Sequence, residues 1–348
     1  MLTARLLCAA LILSSCTAAF SQSDITIYRG MCDASAALAI DEQHFIVAND
    51  EDNTLRIYNI QQKSPIYQMD LSQFLRIQYD DKSPEADLEG AARVGDIYFF
   101  ITSHGRDKEG RMRRNRHRFF ALQIYKHDQD FQVNTIGNAY EFLMDHLAEI
   151  PQLKKHLADA YDRFDDKDKD LAPKDQGVNI EGLAVNRTGN GLLIGFRNPL
   201  PGNNALVVEF LNPLNVLAGS EQPKFGQNFL LNLDFRGVRS LEYFAERDQY
   251  LLVAGDVNGD LPFQLYFWDG NTEKVEKVSG ATFEDYKKFN PEATILFQHN
   301  KTLLMLSDDG TVNIRDTDGE LCDCKKLSDD SLKQFRGLWF LWDKLPAQ

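Results

Sequence analysis

A short pattern recurs five times along this chain: a polar residue, a Glu-Gly or small pair, an apolar stretch, a polar gap, then a strongly apolar strand with a polar residue at its end. The openings are Cys32-Asp33-Ala34-Ser35-Ala36, Asp87-Leu88-Glu89-Gly90-Ala91, Asn179-Ile180-Glu181-Gly182-Leu183, Ser240-Leu241-Glu242-Tyr243 and Asn290-Pro291-Glu292-Ala293. The strands that follow are Phe45–Ala48, Tyr98–Ile101, Leu192–Gly195, Leu251–Ala254 and Thr302–Leu306, ending near Asp50, His104, Arg197, Asp256 and Asp308. Those end points lie 54, 93, 59 and 52 residues apart. Four short strands with their turns take roughly 40–50 residues, the usual length of a propeller blade. The pattern therefore predicts an all-β fold, a β-propeller of five blades with six as the alternative, in one domain spanning 24–345.

The long interval carries an insertion at 138–176. Phe142, Leu143, Leu147, Ile150, Leu153, Leu157 and Tyr161 recur at helical spacing, with Pro151 between two halves, and a charged loop from Asp165 to Asp175 follows. Leu55–Tyr58 and Thr311–Arg315 read as further strands after acidic turns, and Ala205–Phe210 and Phe263–Trp268 fill the same slot in their repeats. Ile25–Tyr28 beside Leu338–Leu341 would close the ring and cover two sheet edges.

Residues 1–21 read as a secretory leader. Arg5 precedes an apolar run, Leu6–Leu13, that is too short to span a bilayer. Leu13-Ser14-Ser15-Cys16 has lipobox form, with cleavage before Cys16 and acylation of that thiol; ordinary cleavage near Ser21 is the competing reading. Either way the mature chain is expected outside the cytoplasm, in the periplasm or cell envelope, with any membrane attachment made by a lipid at Cys16 to the outer membrane. Of the remaining cysteines, a bond from Cys32 to Cys322 or Cys324 would lock the ring; free buried thiols are the alternative. A net charge of −14 argues against a nucleic-acid partner, since a polyanion binder needs a basic surface.

The segments Cys32–Ala37, Asp87–Arg93, Ser103–Arg106, Asn115–Arg118, Asn179–Leu183 and Gly195–Pro199 together resemble a bacterial family known only as domain of unknown function 3616. The resemblance covers most of the mature chain, from Ile27 to Leu341. It implies a propeller-like fold, loosely similar to the esterase-like and phytase-like propellers, and no established activity.

In a propeller the repeat would bring Glu89, Glu181, Glu242 and Glu292 into a ring near one end of the central channel, with Ser35 and Asp33 completing it and Asp87 beside it. Such a ring needs a cation, arginine partners or protonation to offset its repulsion. A basic stretch between two strands of the second blade holds His104, Arg106, Arg116, His117 and Arg118. His104, Arg106, Arg116 and His117 of this stretch, with Arg197 at the end of the next blade's strand, suggest a rim pocket for an anionic small molecule or an envelope protein, because the guanidinium fork suits carboxylate and phosphate. Asp256, Asn258 and Asp260 offer oxygens at alternate positions, so calcium is the one cofactor in view, although the loop lacks the rest of an EF-hand. No Gly-x-Ser-x-Gly elbow is present. Pairing Glu89 or Glu181 with His104 as acid and base would make the alternative function a calcium-assisted hydrolase of phosphate or carboxylate esters.

Overall fold

The inner strands of this protein are buried on both faces and read as continuous apolar runs, whereas the outermost strands alternate. Phe45 to Ala48 and Leu303 to Ser307 are wholly buried, while the outer strand of the second blade alternates between half-buried and exposed along much of its length. Strands sandwiched between neighbouring sheets have that signature, and radial packing of sheets supplies it. The computed structural model describes residues 25–79, 84–128, 130–157, 159–162, 164–279, 283, 286, 288–299 and 301–341. The leader, including Cys16 and both cleavage readings, lies outside them.

Strand β1 (Ile25–Arg29) precedes blade one, which is β2 (Ala36–Ala39), β3 (His44–Ala48), β4 (Thr54–Asn59) and β5 (Tyr67–Asp70), ordered from the axis outward. Blade two is β6 (Leu88–Val94), β7 (Ile97–Thr102), β8 (Phe119–His127) and β9 (Asp130–Tyr140). Two short helices follow, α1 (Leu143–Glu149) and α2 (Pro151–Leu157). Blade three is β10 (Asn179–Val185), β11 (Leu192–Asn198), β12 (Ala205–Phe210) and β13 (Phe225–Leu231). Blade four is β14 (Gly237–Phe244), β15 (Gln249–Gly255), β16 (Gln264–Trp268) and β17 (Val275–Lys277). The fifth sheet starts with β18 (Pro291–Phe297) and β19 (Thr302–Ser307), passes through a hairpin, β20 (Asn313–Arg315) and β21 (Leu321–Asp323), and ends with β22 (Gln334–Leu341) and β1. The molecule is a five-bladed propeller.

Each of the five gaps between adjacent blades holds its own apolar cluster. The gap between blades two and three is the widest and takes the insertion: Leu143, Leu147, Leu153 and Leu157 join Phe119, Leu206 and Phe210 there. Phe142, the first residue of the predicted stripe, is exposed instead. The glycines after the Glu positions permit close approach of blades. A Cβ on Gly182 would stand 2.7 Å from Val238 Cγ1 on the neighbouring inner strand.

Ring closure follows the expected pairing, with Ile25 opposite Leu338 and Tyr28 opposite Phe335. One strand is placed differently. Residues 311–315 do not take the third position of blade five; β20 pairs only with β21, and β22 pairs with β19 in that slot. A disulfide from Cys32 to Cys324 ties this hairpin to the start of blade one, leaving Cys322 as a half-buried thiol. Among the described residues no helix is long and apolar enough to cross a membrane.

Candidate functional site

Four of the five inner strands carry a β-bulge near the start, and the blade-one strand begins at the corresponding point; the small residue there marks the register. Ala36 pairs with Ala48, Gly90 with Ile101, Gly182 with Gly195, Ser240 with Val253 and Ala293 with Leu306. The residues immediately before these are Ser35, Glu89, Glu181, Arg239 and Glu292, so these five are the true equivalents. In blade four the register corrects the sequence alignment by three residues: Arg239, not Glu242, stands with Glu89, Glu181 and Glu292. Smallness after the bulge was the signal available in the sequence, and the identity of a nearby Glu obscured it. Glu242 lies farther along the same strand yet still lines the channel.

The same register sorts the strand ends. Two residues past each paired position lie Asp50, Ser103, Arg197, Gly255 and Asp308. Adjacent strand residues point to opposite faces, so His104 and Asp256, each one residue later, leave the mouth. This separates His104 from Arg197, which the sequence had placed on one rim. The openings Asp33, Asp87 and Asn179 complete the mouth, and Asp87 adopts a left-handed backbone, φ 62°.

Charge at this mouth is divided by blade. On the side of blades three and four, Arg197 donates to Glu181 at 2.9 Å, and Arg239 contacts Glu181 at 3.0 Å and also pairs with Glu292. Asn179 donates to the same Glu181 at 2.7 Å. Burial and the neighbouring Arg197 lower the Arg239 pKa. Lys174 stands exposed above this group; partial burial, then Arg197 and Arg239, lower its ammonium pKa.

On the side of blades five, one and two the charge is acidic. Oxygens of Asp50, Asp87 and Glu89 lie within 4.8 Å of one another, as do those of Asp33, Asp50 and Glu51. Ser103 donates to Asp87, and Arg116 reaches Asp87 at 3.2 Å and Glu85 at 2.8 Å. Burial first, then surrounding carboxylates, raises Asp33, Asp50 and Glu89. Asp308 faces Asp33 across an isolated bridge; burial opposes its ionisation, but the contact with Asp33 and the Gly310 N–H hold it low.

The channel beneath is narrow. A void of about 10 Å³ is lined by Glu89, Glu181, Glu242 and Glu292, together with Ser35 and Thr294; that is room for about one water. So the four glutamates share one channel, at two levels. Burial pushes Glu242 up to about 8, with no ion-pair partner among the described residues.

Most of the basic stretch serves the scaffold. Arg106 is buried and donates to the carbonyls of Gly110, Asp162 and Asp165, anchoring the insertion. Arg118 binds the carbonyls of Leu75, Arg114 and His117. The His104 ring packs against His117 at 5.3 Å, which in turn lies against Tyr161. Burial lowers His104 to about 4. Of the five residues expected to form an anion pocket, only Arg116 and Arg197 reach the mouth. The Asp256 loop caps itself: Asp256 accepts the Asp260 N–H at 2.7 Å, and Arg197 takes the carbonyls of Asp256 and Val257. Asn258 and Asp260 are exposed.

Comparisons bear on fold and family. Solved structures similar to this chain include glutaminyl cyclase from Myxococcus xanthus, at 11% identity and TM-score 0.41, covering 92% of this chain and 97% of that one. A luciferin-regenerating enzyme aligns at 9% identity and TM-score 0.39, covering 91% and 95%. The RRP9 WD40 repeats align at 11% identity and TM-score 0.37, covering 84% of this chain but only 63% of that chain's length. No curated protein matches the sequence significantly. A family profile described as "Protein of unknown function (DUF3616)" matches residues 33–133 and 126–302. Those spans take in Asp33, all five inner strands and every bulge position around the mouth, and on that match the chain belongs to the DUF3616 family.

Proposed function

We propose that this propeller is a binding protein that holds a small anionic molecule at the channel mouth, against the side formed by blades three and four. The observation that carries this reading is that Arg197 and Arg239 both meet the Glu181 carboxylate, at 2.9 and 3.0 Å, with Lys174 close enough to feel both; burial first, and then these like charges, lower Lys174 and Arg239. An anionic group placed there would relieve that repulsion, and Lys174 is exposed to meet it. The narrow channel puts such a ligand on the mouth and not inside. Ser103 is engaged with Asp87 and His104 is turned away, so an ester hydrolase is the weaker alternative. The leader at 1–21 would place this binding in the periplasm or envelope.

Titration calorimetry with phosphate, sugar phosphates and di- and tricarboxylates tests the reading. Saturable binding is expected. Lys174→Ala should weaken it roughly 5- to 30-fold, the worth of one charge-assisted contact, with little change in thermal stability. Wild-type protein that binds none of these anions would sink the proposal. Turnover of chromogenic phosphate or carboxylate esters would replace it with the hydrolase.

A further inference from the structure

We infer that the opposite, acidic side of the mouth is a divalent-cation site of the calcium class, with Asp33, Asp50, Asp87 and Glu89 as its carboxylate ligands. It stands whether or not the basic side takes an anion.

Asp50 is the shared member. Its carboxylate lies within 4.8 Å of Asp87 and Glu89 on one side and of Asp33 and Glu51 on the other. Two oxygens facing each other across one calcium are about 4.6–5.2 Å apart, because each bond is 2.3–2.6 Å. Each of the two triads therefore has a spacing that suits three ligands of one ion, and Asp50 is common to both.

A second observation separates this group from an ordinary acidic cluster. Asp33 is only 2% exposed, and no N–H or hydroxyl donor among the described residues reaches its carboxylate; its facing group is the Asp308 carboxyl, a contact between two acids that itself needs a proton or a cation. One oxygen of Asp50 is buried and lacks a partner in the same way. A buried carboxylate without donors is costly unless a cation or proton sits with it. The backbone has been cleared for Asp33: a Cβ on Gly310 would fall 2.3 Å from its Oδ1.

The nearby basic groups do not fill this need. Arg116 is shared between Asp87 and Glu85, and Lys325 pairs with Glu51 at 2.9 Å. The donors on offer are hard oxygens, with no imidazole or thiolate among the four, which selects calcium, magnesium or manganese over zinc and copper. The carboxylates come from two blades and the loops above them, an irregular set that fits the flexible coordination of calcium better than the strict octahedron of magnesium.

The test uses the mature full-length chain stripped with EDTA. Calorimetry and thermal unfolding with calcium alone should give one saturable site and a rise in melting temperature, larger than with magnesium. Asp50→Asn should weaken calcium binding at least roughly tenfold, the loss of one ligand charge. The metal-free variant should be as stable as wild type or more so, since a like-charge contact has gone. Asp260→Asn, in the self-capped loop, should leave the calcium response unchanged. Terbium luminescence lifetime on wild-type protein gives an independent reading, with fewer bound waters expected than for an ion on an exposed surface. The inference is overturned if stripped wild type shows no saturable response, if Asp50→Asn binds calcium like wild type, or if bound terbium keeps a full hydration shell.

Discussion

His104 illustrates how little of a residue's role is set by its type. It is 1% exposed, its backbone is left-handed at φ 52°, and its Nδ1 lies 2.9 Å from the Thr102 carbonyl. Burial, with a further contribution from Arg118, holds it neutral down to about 4, against an ordinary value of 6.5. The folded protein therefore resists a proton that the unfolded chain accepts. The stability tied to this neutral ring is complete above pH 6.5 and is lost as pH falls toward 4, by up to ~3 kcal/mol. His104→Asn keeps a residue that tolerates the left-handed region and removes the titration. Urea unfolding from pH 7 to 4 should show a shallower acid slope for the variant; an unchanged slope would place the acid sensitivity elsewhere. Arg239 makes the complementary point: a cation at a position held by glutamate in three other blades brings Glu181 and Glu292 together.

At the scale of elements, the β20–β21 hairpin and the helical insertion are additions that leave the blades intact. The insertion earns its place by apolar burial in the gap between blades two and three. The hairpin has a small cluster of its own around Cys32, Cys324 and Leu327, and the disulfide secures it. The bond spans a sequence separation of 292, but β1 and β22 already bring the chain ends together in the folded ring. Cys32→Ser should cost about 2–4 kcal/mol in oxidising buffer, and reductant should lower wild type to the level of the variant. Equal denaturant midpoints for the two proteins in oxidising buffer would show that the bond contributes nothing.

For the whole molecule, closure depends on β1. Tyr28 is wholly buried and stacks on Phe335, with Phe45 and Tyr58 around it. Removing residues 25–29 would open the edge of β22 and uncover that aromatic group. The shortened chain should unfold at lower urea, by about 3–5 kcal/mol for the loss of Tyr28 burial alone, and self-associate through the free edge. Sedimentation and urea unfolding together check this; a monomer of wild-type stability would show that β1 is dispensable.

The five-bladed ring, its closing pair and the inserted helices were legible in the sequence, because apolar periodicity and turn residues are local properties that recur with each blade. Most of the carboxylates at the mouth were legible for the same reason. The charge balance there was not. It depends on which residue faces the axis, and a bulge shifts that choice without altering composition: Arg239 takes the place assigned to Glu242, and Ser103 the place assigned to His104. Local sequence set the strands and their order; only the pairing of one strand with the next decided which side chains meet.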